Sequence, residues 1–170
     1  IPLPHGPIAN RSGFAYVATV KTSAKRTRLL PFVYSTTQTM VLEFGENYIR
    51  FHTQGATLLA GTGAAWSAVT TYALGDMVNV AGTNYYCILA HTNFTPPNAT
   101  YWYPIPSTAY EIPSTYAEAD LFDLNIVQSS DVLTIVHPNY PPAELRRLGA
   151  TKWTLVPISF AANITAPTGV

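Results

Sequence analysis

"GTNYYCILAHTNFTPPNATYW", residues 82–102, holds five Phe, Tyr or Trp rings, the pair Pro96-Pro97 and not one Asp, Glu, Lys or Arg. Three readings compete for so many rings in one uncharged stretch: a dense β core, a platform for sugar, or a patch that packs against a neighbouring subunit. The sequence favours a β core as the base. The other two readings stay open.

Outward from this stretch the neutral texture continues. Between residues 61 and 106 Asp76 is the sole acidic residue. "GTGAA" (61–65) reads as an entry linker and "PIPSTAYEIPS" (104–114) as an exit, so a small autonomous module is expected over 63–107. It interrupts a larger β domain whose parts are 1–62 and 108–162, followed by a linker at 163–170. Insertions of this kind succeed at exposed loop tips.

The flanks read as short strands rich in β-branched and aromatic residues: 14–20, 29–35, 39–44 and 48–53 before the module, then 124–128, 132–138 and 152–160 after it. "GEN" (45–47) has the length of a hairpin connection, and Pro31 belongs on an edge strand or a bulge. "NYPPAELRRLGAT" (139–151) reads as a connection. The one helical turn expected is 114–122, where Thr115 and Glu118 have capping-box spacing. The fold class is therefore all-β, with antiparallel meander sheets and a small inserted module.

Composition limits the function. The 170 residues carry 9 Lys plus Arg against 9 Asp plus Glu, so no basic surplus exists for neutralising phosphates, and sequence-specific nucleic-acid binding is not expected. Charged residues make up 11%, well under the roughly 25% usual for soluble domains, which suits a chain that covers surface in a homo-oligomer. Cys87 is the only cysteine, so no internal disulfide can form. No apolar run approaches the roughly 18 residues of a membrane helix. The absence of Met at residue 1 and the linker-like "AANITAPTGV" at the end suggest a segment of a longer protein.

Within the insert, Trp66, Tyr72, Gly75-Asp76, Val78, Gly82, Tyr85, Cys87, Ala90-His91-Thr92, Pro96-Pro97-Asn98 and Trp102 form an ordered pattern. It resembles the small chitin-binding-type carbohydrate-binding modules, which implies a three-stranded β fold with an aromatic core of Trp66, Tyr85 and Trp102. Members that bind sugar stack it on an exposed aromatic pair where this chain has "ILAHT". The candidate carbohydrate contacts here are instead Phe94, Tyr101 and Tyr103, with His91 and Asn98 assisting. The competing reading, that these rings seal an interface, is the leading one on sequence.

The flanks carry a second resemblance, through "RLLPFVYSTTQTMVLEFG", "QSSDVLTIVHPNYPP" and "KWTL". They look like the tail-tube or nozzle proteins of tailed bacteriophages. That likeness implies propeller-like sheets, a ring of subunits in the virion tail, other tail proteins as partners and an architectural rather than catalytic role. Host surface polysaccharide is the partner implied for the insert. A free-standing lectin-like receptor-binding module is the alternative.

An enzyme is not expected. Glu111, Glu118, Asp120, Asp123 and Asp131 could supply a glycosidase pair, but nothing in the sequence sets two of them across a cleft. Cys87 and His91 share a strand face at most, and no further Cys or nearby His completes a metal site, so Cys87 reads as a buried structural thiol and no cofactor is implied. His137 reads as a strand-end residue paired with backbone.

Overall fold

The computed structural model describes residues 13–35, 38–105 and 108–160. The first sheet has the order β1 (Arg28–Val33), β2 (Thr39–Gly45), β3 (Tyr48–Thr53), β11 (Glu111–Pro113), with the short β4 (Ala56–Thr57) also on β3. Period-two alternation turns Leu30, Phe32, Met40, Leu42, Phe44, Ile49 and Phe51 inward. Pro31 sits on β1, an edge strand, where its missing N–H costs no ladder bond. The β2–β3 hairpin turns through Glu46 and Asn47, the latter in the left-handed region at φ 61°. Gly45 has to be glycine, because the Tyr48 ring across the ladder occupies the place of its Cβ.

The second sheet is a meander: β12 (Asn125–Ser129), β13 (Val132–His137), β14 (Tyr140–Gly149), β15 (Lys152–Pro157). Its inner residues Leu133, Ile135, Leu145 and Trp153 face the first sheet. Trp153 packs between the two, with ring centroids 4.9 Å from Phe32 and 4.6 Å from Phe51.

Between β4 and β11 the chain leaves as a paired stalk. Tyr110 N–H donates to Leu58 O at 2.7 Å, Ala60 N–H donates to Thr108 O at 2.9 Å, and Leu59 bridges Ala109. The insert beyond it is a four-stranded sheet of order β10 (Trp102–Ile105), β8 (Thr83–Cys87), β7 (Met77–Val80), β5 (Ala64–Ala65), plus a pair formed by β6 (Thr71–Tyr72) and β9 (His91–Thr92). The three-stranded expectation is therefore exceeded. The expected entry linker supplies β5, which runs parallel to β7. The expected exit supplies half of β10 and all of β11, with Tyr110 fully buried between them.

Nor is the insert self-contained in its packing. β8 points Cys87 into a small core with Tyr72, Val78 and Trp102, against which Trp66, Tyr85 and Tyr101 lie half-buried. The next residue back, Tyr86, points the other way and joins the main core, as does Ile105. Tyr86 Oη donates to Trp153 O at 2.8 Å, Lys152 Nζ meets Asp76 Oδ1 at 2.8 Å, and a Cβ on Gly75 (φ 90°) would stand 2.7 Å from Thr154 Cγ2.

Three further expectations are corrected. Residues 14–20 form no strand, and Phe14 and Tyr16 stand 99% and 78% exposed, because a β pattern becomes a strand only where an edge receives it. Residues 139–151 hold the ten-residue β14; its prolines fall at a bulge by His137, after which Ala143, Leu145 and the charged residues alternate in and out. The turn at 114–122 shrinks to a 3-10 turn, Glu118–Asp120, capped by no side chain. The Glu118 carboxylate accepts from Arg26 N–H instead, at 2.8 Å.

Candidate functional site

Trp102 organises the rim of the small core. Its ring is buried, and its Nε1–H donates to Phe94 O at 2.6 Å, fixing the loop that follows β9. Asn93, at φ 63°, turns that loop. Opposite it, the Asn98 carbonyl accepts from Tyr101 N–H at 3.0 Å and Trp102 N–H at 2.8 Å, while Asn98 Oδ1 accepts from Thr100 N–H at 3.1 Å. These bonds deliver Phe94 and Tyr101 to one place from two loops. Their rings stack with centroids 4.1 Å apart and planes within 10°.

Phe94 is 42% exposed and Tyr101 half-buried, so the pair is a supported ring at the surface. Around it lie exposed Thr92, Asn93 and Thr95, and Thr92 Oγ1 shares a hydrogen bond with Thr71 Oγ1 at 2.9 Å. Chemically this is a ring that can receive the C–H face of a sugar, rimmed by hydroxyls and amides that can meet its hydroxyls.

Of the residues the sequence nominated, the structure brings Phe94, Tyr101, His91 and Asn98 together, in different roles. Asn98 is spent on the turn. His91 lies behind the pair, 7% exposed, with its ring 4.8 Å from Tyr101, 4.8 Å from Trp102, 5.6 Å from Tyr72 and 5.7 Å from Phe94. Neither imidazole nitrogen has a hydrogen-bond partner, and burial pushes the ring's pKa below its ordinary value.

Tyr103 is not part of the platform. It alternates away from Trp102 on β10, and its hydroxyl donates to Glu111 Oε1 at 2.7 Å. Glu111 is fully buried and also receives Lys21 Nζ at 2.6 Å and Arg50 Nε at 2.9 Å. The neighbouring buried carboxylate, Glu43, takes Tyr48 Oη at 2.6 Å, His52 Nε2 at 3.0 Å and Lys21 N–H at 3.4 Å. Burial alone would raise the Glu43 pKa, but the hydrogen bonds from His52 and Tyr48 carry it below the usual carboxylate value. Sequence gave no signal for Glu43. Its place appears only when β2, β3 and β11 align Glu43, Arg50 and Glu111 in one row.

Cys87 is buried and donates to Leu89 O at 3.2 Å, and burial pushes its thiol pKa up. Among the described residues no group of three or more His, Cys, Asp or Glu is placed to hold a metal ion, and no helix is long and apolar enough to cross a membrane. Of the other acidic candidates, Asp120 accepts from Tyr140 Oη at 2.7 Å and Asp131 meets Arg147 at 3.4 Å, while Asp123 is exposed. His137 closes β13, its Nδ1 accepting from Asn139 N–H at 3.1 Å.

No curated protein matches the chain at a significant level. Residues 65–109, which run from β5 to the stalk and carry Phe94 and Tyr101, match the family model for carbohydrate-binding module family 5/12, and in this segment the chain is similar to a carbohydrate-binding module.

Proposed function

We propose that the chain holds a neutral polysaccharide on the Phe94–Tyr101 pair, and that the β structure around the insert is an architectural subunit of a multi-copy assembly of the bacteriophage tail-tube or nozzle type. The observation that carries the first part is the parallel ring stack at the surface of a segment similar to a carbohydrate-binding module. Neutrality follows from the rim. The only charged side chain between residues 61 and 106 is Asp76, which is tied to Lys152. Retention of the protein on insoluble polysaccharides, chitin and host cell wall among them, tests this. Wild type is retained and Phe94→Ala loses about tenfold, the worth of one good stacking contact of about 1.4 kcal/mol. Equal retention of the two would overturn it.

The second part is supported by apolar side chains outside the insert that the described residues leave uncovered, Phe14 at 99%, Phe160 at 79%, Tyr16 at 78% and Val127 at 70% exposure, in a sequence only 11% charged. Neighbouring copies or other tail proteins would cover them. A ring of copies also multiplies a weak affinity per site through effective concentration. Glu111, Glu118, Asp120 and Asp131 are each bonded within the fold, which supports a role in binding and architecture rather than turnover. Sedimentation and electron microscopy of the purified protein test it: closed multimers are expected, and a monomer at every concentration would contradict it.

A further inference from the structure

The same platform has a feature that sugar binding does not require. His91 is a buried imidazole with two unpartnered nitrogens, packed among four aromatic rings. The groups that face it are Tyr72 from β6, Phe94 from its own loop, and Tyr101 and Trp102 at the start of β10. No carboxylate or cation is among them. The Tyr72 hydroxyl is engaged by Ser67, accepting from its N–H at 2.7 Å, and the other ionisable groups in or against the small core are the buried Cys87 thiol and the phenols of Tyr85 and Tyr101. A neutral imidazole here already leaves one donor and one acceptor unmade. Protonated, it would bring a charge and two donors into a site with no anion to meet them.

We propose that His91 is a pH-sensitive strut of the glycan platform: neutral, it fills the space behind Phe94 and Tyr101 and keeps their rings stacked; protonated, it opens the loop carrying Phe94 and releases the glycan. The loop is the way out because Phe94 is the least buried of the four rings, whereas Trp102 is 1% exposed and Tyr72 is 6% exposed on a paired strand. The sign follows from burial. The folded arrangement favours the neutral ring, so the platform is complete above the ordinary imidazole value of about 6.5 and is lost as pH falls below it.

This inference rests on the glycan reading of the site, and two measurements separate their fates. Retention on chitin beads is compared at pH about 7.5 and about 4.5, on either side of the ordinary imidazole value. Wild type is expected to lose about tenfold, or about 1.4 kcal/mol, at the lower pH, while in His91→Phe the ratio between the two pH values stays near one whatever its absolute level. Independently of any glycan, the His91 ring protons and the Phe94 and Tyr101 resonances of the wild-type protein are followed by NMR through the same range. Imidazole protonation is expected to coincide with loss of the Phe94–Tyr101 ring-current shifts. Protonation that leaves those shifts unchanged, pH-independent retention by wild type, or an unaltered pH dependence in His91→Phe overturns the proposal. If chitin is retained at neither pH, the glycan reading fails on that probe and the NMR titration alone decides the strut. It also decides should His91→Phe not fold.

Discussion

The hydroxyl of Tyr86, on β8 of the insert, donates to the carbonyl oxygen of Trp153, on β15 of the second sheet, across 2.8 Å of buried space and 67 positions of chain. Tyr86 thereby belongs to the insert by sequence and to the main core by packing. Tyr86→Phe removes the donor and leaves the Trp153 carbonyl unsatisfied, at a cost of about 1–3 kcal/mol. Denaturant unfolding should stay a single transition, shifted to lower midpoint. Replacing residues 63–107 with a short Gly-Ser loop removes Tyr86 and Ile105 from that core and should cost several times as much. A deletion variant as stable as wild type would show that the seam is incidental.

Gly75 reports on the same seam without touching a hydrogen bond. Its φ of 90° disfavours any side chain, and a Cβ would stand 2.7 Å from Thr154 Cγ2. Gly75→Ala should lower stability by about 1–3 kcal/mol, the cost of strained backbone together with the forced shift of a neighbour. A thermal melt of the variant checks it, with an unchanged midpoint as the contrary result.

Trp102 and Phe94 should separate stability from function. Trp102 is 1% exposed and its ring holds the Phe94 loop, so Trp102→Ala should cost about 3–5 kcal/mol. Phe94→Ala should cost about 1 kcal/mol or less, as for other surface positions. Equal losses in urea midpoints would make Phe94 a core residue and remove it from the platform.

These contrasts mark what the sequence made legible. Strand alternation in 39–44, 48–53 and 132–138 was plain because one face of each is buried, and Pro31 on an edge followed from its missing donor. Residues 139–151 misled because "NYPP" reads as a break, while the alternation that makes β14 begins only after it. The module's existence was legible in its ordered aromatic and glycine positions. Its attachment was not, since nothing local distinguishes Tyr85, which faces the small core, from Tyr86, which faces Trp153. Among the site residues, Phe94 was legible as a loop ring with Tyr101 and Tyr103 as candidate partners, and the choice between the two was not. The withdrawal of Tyr103 to Glu111 and the burial of His91 depend on strand phase and loop closure, which residue identity does not carry.

Acid should weaken the first sheet through Glu43. Its folded pKa lies below the usual carboxylate value, so the bonds from His52 and Tyr48 contribute stability that is complete above the unfolded value of about 4.3 and is lost as pH falls through the folded one. Glu43→Gln should be less stable at neutral pH and should flatten the acid limb of the stability profile. Unfolding free energies measured across that range decide it. A variant with the wild-type acid limb would place the pH sensitivity elsewhere.

The central claim, that the Phe94–Tyr101 stack receives a sugar ring, is tested most directly by NMR titration of the whole protein with a soluble, uncharged chitin oligosaccharide. The account predicts saturable shifts concentrated on Phe94, Tyr101, Thr92 and Asn93, small shifts at Tyr103 and Trp153, and, in Phe94→Ala, saturation only at about tenfold higher oligosaccharide. Shifts confined to residues away from Phe94 and Tyr101, or none at all with chitin and host cell-wall oligosaccharides alike, would contradict it.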